Sequence, residues 1–101
     1  MEIKIHVLKG DTNRNVWLNG KPLDPKKSQK IKNHSPDGFN WGYPGSGPAQ
    51  LALAVMLELY SLKIAEAGYQ KFKWKYIATL PQGEAFSILF SDADIKKMLE
   101  E

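Results

Sequence analysis

The 101-residue chain contains no cysteine, which removes three kinds of site at once. Without thiols there is no disulfide framework, no thiolate metal site and no cysteine nucleophile. Arginine is almost as scarce, because thirteen of the fourteen basic side chains are lysine and Arg14 is the single arginine. Arginine is the usual residue for bidentate contacts with guanine edges and phosphates. One arginine therefore argues against a dedicated sequence-reading DNA binder.

Long apolar segments are missing as well. The longest, residues 51–57, is far shorter than the roughly 20 residues that span a bilayer. The N-terminal decapeptide alternates like a strand and has no signal-peptide core. The composition, 43% hydrophobic and 25% charged, is that of an ordinary globular protein, and the length predicts a single domain over residues 1–101. We therefore expect a soluble, cytoplasmic protein.

The start of the chain has the pattern of a small antiparallel sheet. Ile3, Ile5 and Val7 fall on one face of an alternating segment, which is typical of a half-buried strand. A second short strand is followed by Asn19-Gly20, which favours a type I′ hairpin turn because both central residues of that turn need positive φ. The sequence thus predicts a β-meander over residues 1–24.

The next segment, residues 25–47, is polar and rich in lysine, proline and glycine. Such a composition indicates a surface loop, with at most a short strand at residues 29–32.

Residues 48–67 are predicted to form the central helix. Pro48 is favoured at the first helical position, where its missing N–H would be unpaired in any case. Residues 51–62 are apolar on nearly every side of a helix, and such a helix is buried. We expect it to end at Gly68.

The following segment fits two interpretations. Residues 71–76 alternate lysine with aromatic residues, as in a strand, while the aromatic residues from Tyr69 onward also have helical spacing. We favour a second helix over residues 69–80 that ends before Pro81.

The end of the chain predicts a strand over residues 85–90 and a C-terminal helix over residues 92–100. Ser91 has the position of an N-cap, with Asp92 and Asp94 opposing the helix dipole in the first turn. The predicted fold is therefore α+β: a small antiparallel sheet packed on a long buried helix, with a second helix and a short C-terminal helix.

A glycine-rich turn leads into the central helix, and two interpretations of it remain open. Such loops can cradle a phosphate with their N–H groups, but this one lacks the Lys-Ser/Thr of a P-loop and the third glycine of a dinucleotide fingerprint. The alternative, which we favour, is structural: the glycines let nearby aromatic residues fold against the helix start, with Ser46 or Gly47 as the cap. Gln50 would then bond the Trp41 indole or loop carbonyls. The residues of a possible ligand or partner surface are Trp41, Tyr43, Gly45, Ser46 and Gln50.

Residues 39–54 read Phe-Asn-Trp-Gly-Tyr-Pro-Gly-Ser-Gly-Pro-Ala-Gln-Leu-Ala-Leu-Ala. This segment resembles the hallmark of a prokaryotic and phage family of small domains of unknown function, with Pro44 in place of the usual glycine. The chain also resembles a weaker second signature of that family, which it matches at Tyr69, Phe72, Lys73, Leu80 and Pro81. The resemblance implies a helix for residues 69–80, and it implies no activity, cofactor or partner.

No catalytic constellation is recognisable. His34, with Ser35 and Asp37 nearby, has the residue types of a nucleophilic triad, but neighbours in one loop rarely meet the geometry. His6 lies alone in a strand. Glu58 interrupts the apolar helix and is either solvent-facing or a buried acid. We therefore predict no enzyme, no metal site and no cofactor.

The lysine-rich segments suggest a second function. Lysines interleaved with aromatic residues can form a stacking platform for single-stranded nucleic acid, although on a helix they would be a solvated face. The possible nucleic-acid contacts are Lys26, Lys27, Lys30, Lys32, Lys71 and Lys75.

We therefore expect a non-enzymatic module that binds an unidentified protein partner. The alternatives are weak nucleic-acid binding through the lysines and a small-ligand site at the aromatic and glycine loop.

Overall fold

The computed structural model describes residues 4–101. It confirms the α+β fold, with a four-stranded antiparallel sheet in the order β3-β2-β1-β4. The elements in chain order are β1 Ile5–Gly10, β2 Val16–Leu18, β3 Lys21–Pro22, α1 Lys26–Ile31, α2 Ser46–Leu59, α3 Leu62–Phe72, a π-helical turn Lys73–Ile77, β4 Phe86–Ser91 and α4 Asp92–Leu99. The first three residues of the predicted meander lie outside the described residues.

The hairpin between β2 and β3 forms at the predicted turn. Asn19 and Gly20 have φ angles of 53° and 81°, as a type I′ turn requires. The buried face of β1 is not the one that we expected from its apolar residues. Ile5 is exposed and Val7 only half-buried, whereas His6 and the residues in phase with it are buried. A histidine can lie on the core side here because both of its ring nitrogens are hydrogen-bonded.

The buried central helix is confirmed, since ten consecutive residues of α2, from Gly47 to Met56, are buried. Its start differs from the prediction. The helix begins at Ser46 with Gly45 as the N-cap, so neither Ser46 nor Gly47 is the cap. Pro48 lies in the first turn, where its missing N–H still costs no intrahelical hydrogen bond.

The prediction that this helix continues to residue 67 is wrong. It ends at Leu59, and Ser61 has an extended backbone and caps α3 by accepting a hydrogen bond from the Ile64 N–H. The all-round apolar pattern hid this N-cap signal. Gly68 does not end a helix but lies inside α3, at a point where a side chain would collide with Leu99 of α4.

The predicted loop over residues 25–47 contains a helix, α1, where we expected at most a short strand. Asp24 accepts a hydrogen bond from the Lys26 N–H at 2.8 Å and so supports the first turn. Ser28 is buried and donates its hydroxyl to the carbonyl of Pro25 at 2.7 Å. Lysine has a good helix propensity, which the loop-like composition concealed.

The ambiguous lysine and aromatic segment is helical, as we favoured. It continues α3 without a break and ends in the π-helical turn, closed by a 2.7 Å hydrogen bond from Ala78 N–H to the carbonyl of Lys73. Phe72 and Ile77 are buried, while Trp74 is 59% exposed. The helix starts before residue 69 and stops before residue 80.

The C-terminal elements lie within one residue of their predicted bounds. Ser91 and Asp94 form a capping box, in which each side chain bonds the backbone N–H of the other residue. The core lies between one face of the sheet and the helices, where Phe72 of α3 packs edge-to-face on Phe90 of β4 with ring centroids 5.2 Å apart. No helix within residues 4–101 is long and apolar enough to cross a membrane.

Candidate functional site

The glycines of the predicted loop make room for side chains. A side chain at Gly45 would collide with the ring of Tyr43, and one at Gly47 would come within 2.6 Å of the Asn40 Cβ. Tyr43 and Asn40 therefore lie against the first turn of α2, where a cradled phosphate would have to approach. Ser46 is exposed, and Tyr43 is half-buried.

Trp41 belongs to the interior and not to a surface. Its side chain is 1% exposed and packs edge-to-face on Phe86, with ring centroids 4.7 Å apart. The indole N–H donates to the carbonyl of Glu84 at 2.9 Å, so the expected bond to Gln50 is not formed.

Gln50 is fully buried and holds the loop between α1 and α2. Its Oε1 accepts hydrogen bonds from the N–H groups of His34 at 2.7 Å and Ser35 at 2.9 Å. Its Nε2 donates to the Ser28 hydroxyl at 2.9 Å and to the carbonyl of Lys32 at 3.1 Å. The amide thus uses two acceptor positions and both donors. Of the two roles that we expected, bonding to a loop carbonyl is confirmed.

This network holds the backbone of His34, and the imidazole of His34 reaches α3. Its Nε2 lies 2.8 Å from the Tyr69 hydroxyl. Partial burial lowers the pKa of His34, and the nearby positive charges of Lys32 and Lys73 lower that pKa further. The imidazole partner is thus a tyrosine, and not the Ser35 hydroxyl that a triad would require.

Lys73, in the π-helical turn, is the most buried lysine of the described chain. Only 9% of the residue is exposed, and its amine lies 5.0 Å from the centre of the Trp74 ring. Within residues 4–101 this amine has neither a carboxylate partner nor a hydrogen-bond acceptor. His34 and Lys73 therefore belong to a cluster that contains bases and no acid.

A second histidine lies in a network of the opposite kind. His6 Nε2 is 2.7 Å from Asp92 Oδ1, and His6 Nδ1 is 3.0 Å from the amide nitrogen of Asn19. An amide nitrogen can only donate, so Nδ1 accepts and Nε2 carries the proton that is donated to Asp92. The Tyr60 hydroxyl donates to the same carboxylate oxygen at 2.7 Å.

The hydrogen bonds of this second network stabilise the ionised carboxylate of Asp92. Hydrogen bonds from His6 and from Tyr60 lower the pKa of Asp92. Burial raises the pKa of Tyr60, and its hydrogen bond to Asp92 raises it further, so the hydroxyl remains a donor. These residues join the sheet, the end of α2 and the start of α4. Sequence reasoning missed the network because its members are up to 86 positions apart.

Glu58 is not part of a site with Gln50. It lies eight residues further along α2, which is about 12 Å along the helix axis. Its carboxylate is exposed and pairs with Lys27 at 3.9 Å. Both residues line a groove of about 410 Å³ beside the β2–β3 hairpin, together with the oppositely charged Lys21 and Asp24.

The six lysines proposed for nucleic-acid contact are all exposed, and they form two groups in different parts of the fold. Four lie on or next to α1, and one of these is paired with Glu58. The other two face the end of the chain: Lys71 Nζ lies 2.6 Å from the Glu101 carbonyl oxygen, and Lys75 Nζ lies 3.3 Å from the Glu101 carboxylate. The two groups do not form one continuous basic stripe of free amines.

The outer face of the sheet carries exposed apolar side chains. Leu89 of β4 is 65% exposed and Ile5 of β1 is 59% exposed. Val7, the cross-strand partner of Leu89, and Trp17 of β2 are half-buried on the same face. β4 is also one of the two edge strands of the sheet. An apolar face and an open edge therefore lie side by side, and the sequence prediction included neither.

Within residues 4–101 no group of three or more histidine, aspartate or glutamate residues could hold a metal ion. Comparisons with the curated proteins and with the solved structures find no match. One family model matches residues 8–101, which include the glycine loop, the Gln50 network and β4. This match covers nearly the whole sequence, and the chain belongs to a family of unknown function, DUF6166.

Proposed function

We propose that the chain is a protein-interaction module that takes up an extended segment of another protein as an additional strand beside β4. The observation that carries this proposal is the open edge of β4 next to the apolar outer face of the sheet. Strand addition of this kind draws affinity from main-chain hydrogen bonds and specificity from alternate side chains.

The free backbone groups of β4 follow from the register of the sheet. The Asp92 N–H donates to the carbonyl of Lys4, and bonded pairs alternate along an antiparallel ladder. Phe90 and Ile88 therefore bond to β1, while the N–H and C=O groups of Ser87 and Leu89 point away from it. These four groups are the template for another strand.

The edge also lacks the features that usually block strand addition. Natural edge strands are protected by lysine, proline, a bulge or a covering element. The sequence of β4 is Phe-Ser-Ile-Leu-Phe-Ser, which contains no charge and no proline. Its ladder with β1 is continuous over six residue pairs. Leu89 would pack against alternate apolar side chains of an added strand.

Charge at the two ends of β4 selects a foreign segment over a second copy of this chain. Glu84 precedes the strand and Asp94 follows it. An antiparallel pairing of two β4 strands would bring the Glu84 end of one copy to the Asp94 end of the other, and facing like charges are unfavourable. The partner expected is an extended segment with alternating apolar residues and a basic residue at each end.

A pair of synthetic peptides tests this proposal. One has the sequence Lys-Val-Ser-Val-Ser-Val-Lys, and the other has glutamate in place of both lysines. We expect the basic-ended peptide to bind more tightly and to slow amide hydrogen exchange at Ser87 and Leu89, as measured by NMR. The Ser87→Pro variant should lose this binding, because proline removes an outward N–H but no bond to β1.

The matched control is Ser87→Ala, which removes the side-chain hydroxyl and keeps the N–H, and which should bind like the wild type. Equal binding to Ser87→Pro and Ser87→Ala would contradict the proposal. Sedimentation equilibrium of the chain alone provides a second check. A dimer that Ser87→Pro disrupts would show that a second copy, and not a foreign segment, occupies the edge.

A further inference from the structure

Three basic side chains lie together on the side of the molecule where α1 ends and α3 passes into the π-helical turn. Lys32 follows α1, His34 comes two residues later, and Lys73 opens the π-helical turn. Partial burial lowers the pKa of His34, and the charges of Lys32 and Lys73 lower it further, so both lysines lie near the imidazole. No carboxylate of the described residues pairs with either lysine.

The helix geometry brings Lys73 to His34. Tyr69 and Lys73 are four residues apart and therefore lie on the same face of the helix. The Tyr69 hydroxyl is hydrogen-bonded to His34 at 2.8 Å, so the lysine one turn further on lies on the helix face that contacts this loop. Gln50 fixes the backbone of this loop through the N–H of His34 and the carbonyl of Lys32. The cluster is thus held in place from both sides.

The burial of Lys73 is the feature that calls for an explanation. Lysine side chains are mostly exposed in folded proteins, so a lysine residue that is only 9% exposed is unusual. The stem of Lys73 is covered, yet its amine still reaches solvent, since no buried side-chain nitrogen of the described chain lacks a partner. A charge that is kept available at the surface by a buried, positioned stem suits an anionic ligand.

We propose that Lys32, His34 and Lys73 form a binding site for a phosphate group. The lysines supply charge and N–H donors, and His34 supplies a ring nitrogen that becomes a donor when protonated. The exposed ring of Trp74, next to the Lys73 amine, lies where a base attached to that phosphate would stack. The site is separate from β4 and does not depend on the strand-addition proposal.

Inorganic phosphate is the first probe, titrated at constant ionic strength while the imidazole signals of the two histidines are followed by NMR. We expect a saturable shift of the His34 signals and a rise of the pKa of His34, because a bound anion favours the imidazolium form. The His6 signals, from a histidine already closed by Asp92, should not move. A His34 signal that does not respond to phosphate would overturn the proposal.

Lys73→Met keeps the length and apolar character of the buried stem while removing the charge. Its affinity for phosphate should fall about tenfold or more, the loss expected when one charge-assisted hydrogen bond is removed. The matched control is Lys75→Met. Lys75 is two residues away and its side chain is exposed, so this variant should bind phosphate like the wild type. Equal losses in the two variants would show diffuse charge attraction and would overturn the site.

Thermal unfolding separates a binding role of Lys73 from a structural role. In phosphate-free buffer Lys73→Met should be at least as stable as the wild type, because the apolar stem is kept and a positive charge that has no carboxylate partner and lies near Lys32 and His34 is removed. Added phosphate should then raise the melting temperature of the wild type and not that of the variant. A large loss of stability in Lys73→Met without phosphate would show that the amine has a structural role and would overturn the proposal.

Adenosine monophosphate and adenosine distinguish the sources of the phosphate. Tighter binding of the monophosphate than of inorganic phosphate, with quenching of fluorescence that Trp74→Ala abolishes, would assign the site to a nucleotide. Equal binding of the two phosphates would assign it to phosphate alone. Adenosine that binds as well as the monophosphate would contradict recognition of the phosphate group.

Discussion

The two histidines of this chain share a chemical motif and differ in their charge environment. Each lies in a hydrogen-bond network that includes a tyrosine hydroxyl, but His6 is bonded to the carboxylate of Asp92, whereas His34 has the positive charges of Lys32 and Lys73 nearby. His6 has a carboxylate partner and needs no other. The basic side chains around His34 have no carboxylate partner, so their positive charge remains available to an external anion. The difference assigns the His6 network to folding and the His34 cluster to binding.

The largest effect is expected where the His34 loop is attached to the core. In Gln50→Ala, the N–H groups of His34 and Ser35 and the hydroxyl of Ser28 lose a buried partner. Because each buried unsatisfied group costs free energy, we expect a destabilisation of about 3–4 kcal/mol in urea-induced unfolding.

Gln70 of α3 is exposed and provides the matched control. Gln70→Ala should change the free energy of unfolding by less than about 0.5 kcal/mol. A Gln50→Ala variant as stable as this control would contradict the role that we give Gln50 in holding the loop.

A smaller effect is expected for Asp92→Asn, about 1–2 kcal/mol near neutral pH, because two hydrogen bonds lose their charged acceptor and the site is partly exposed. The pKa of Asp92 is lowered in the folded chain, so its stabilising contribution is complete above its ordinary value of 3.8 and is lost as the pH falls through the folded value. Urea unfolding across this acid range should therefore show a shallower loss of stability for Asp92→Asn than for the wild type. Parallel curves for the two proteins would contradict this assignment.

The His6 network and the His34 cluster each contain a tyrosine, so the same tyrosine-to-phenylalanine change can be made in both. Tyr60→Phe removes a donor to the carboxylate of Asp92 and should cost about 1 kcal/mol, while Tyr69→Phe removes a neutral partner of His34 and should cost about 0.5 kcal/mol. Thermal or urea unfolding measures both. If Tyr69→Phe costs more than Tyr60→Phe, the His34 cluster contributes more to folding than our assignment allows.

Sequence patterns predicted those elements of the fold that are determined by residues close together in the chain. The apolar run of α2, the Asn19-Gly20 turn and the Ser91 N-cap each act within a few residues, and the structure has all three. The buried face of β1 could not be predicted in this way. His6 enters the core because partners 13 and 86 positions away satisfy its ring, and period-2 patterning contains no information about them.

The same limit applied to the candidate site. Trp41 and Gln50 are predicted for a possible ligand or partner surface, but the structure places both in the interior. The sequence does not distinguish Lys73 from Lys71 and Lys75, since nothing in it indicates that a π-helical turn buries the stem of Lys73. Burial of a side-chain stem is a tertiary property, and it is this property that singles out the His34 cluster.

The smallest effect, and the one that tests the comparison most directly, is the pH dependence that His34 adds. Its pKa is lowered in the folded chain, first by partial burial and then by the charges of Lys32 and Lys73. The folded state therefore binds fewer protons than the unfolded state, so the contribution of His34 to stability is complete above its ordinary pKa of 6.5 and declines as the pH falls below it. His34→Gln should remove this decline. Lys73→Met should reduce it, because the imidazolium form loses one repelling charge, and an NMR titration of the imidazole should show the pKa of His34 moving up towards 6.5 in that variant. An imidazole that titrates at 6.5 or above in phosphate-free buffer would mean that an acid compensates the lysines, and the contrast with His6 would then disappear.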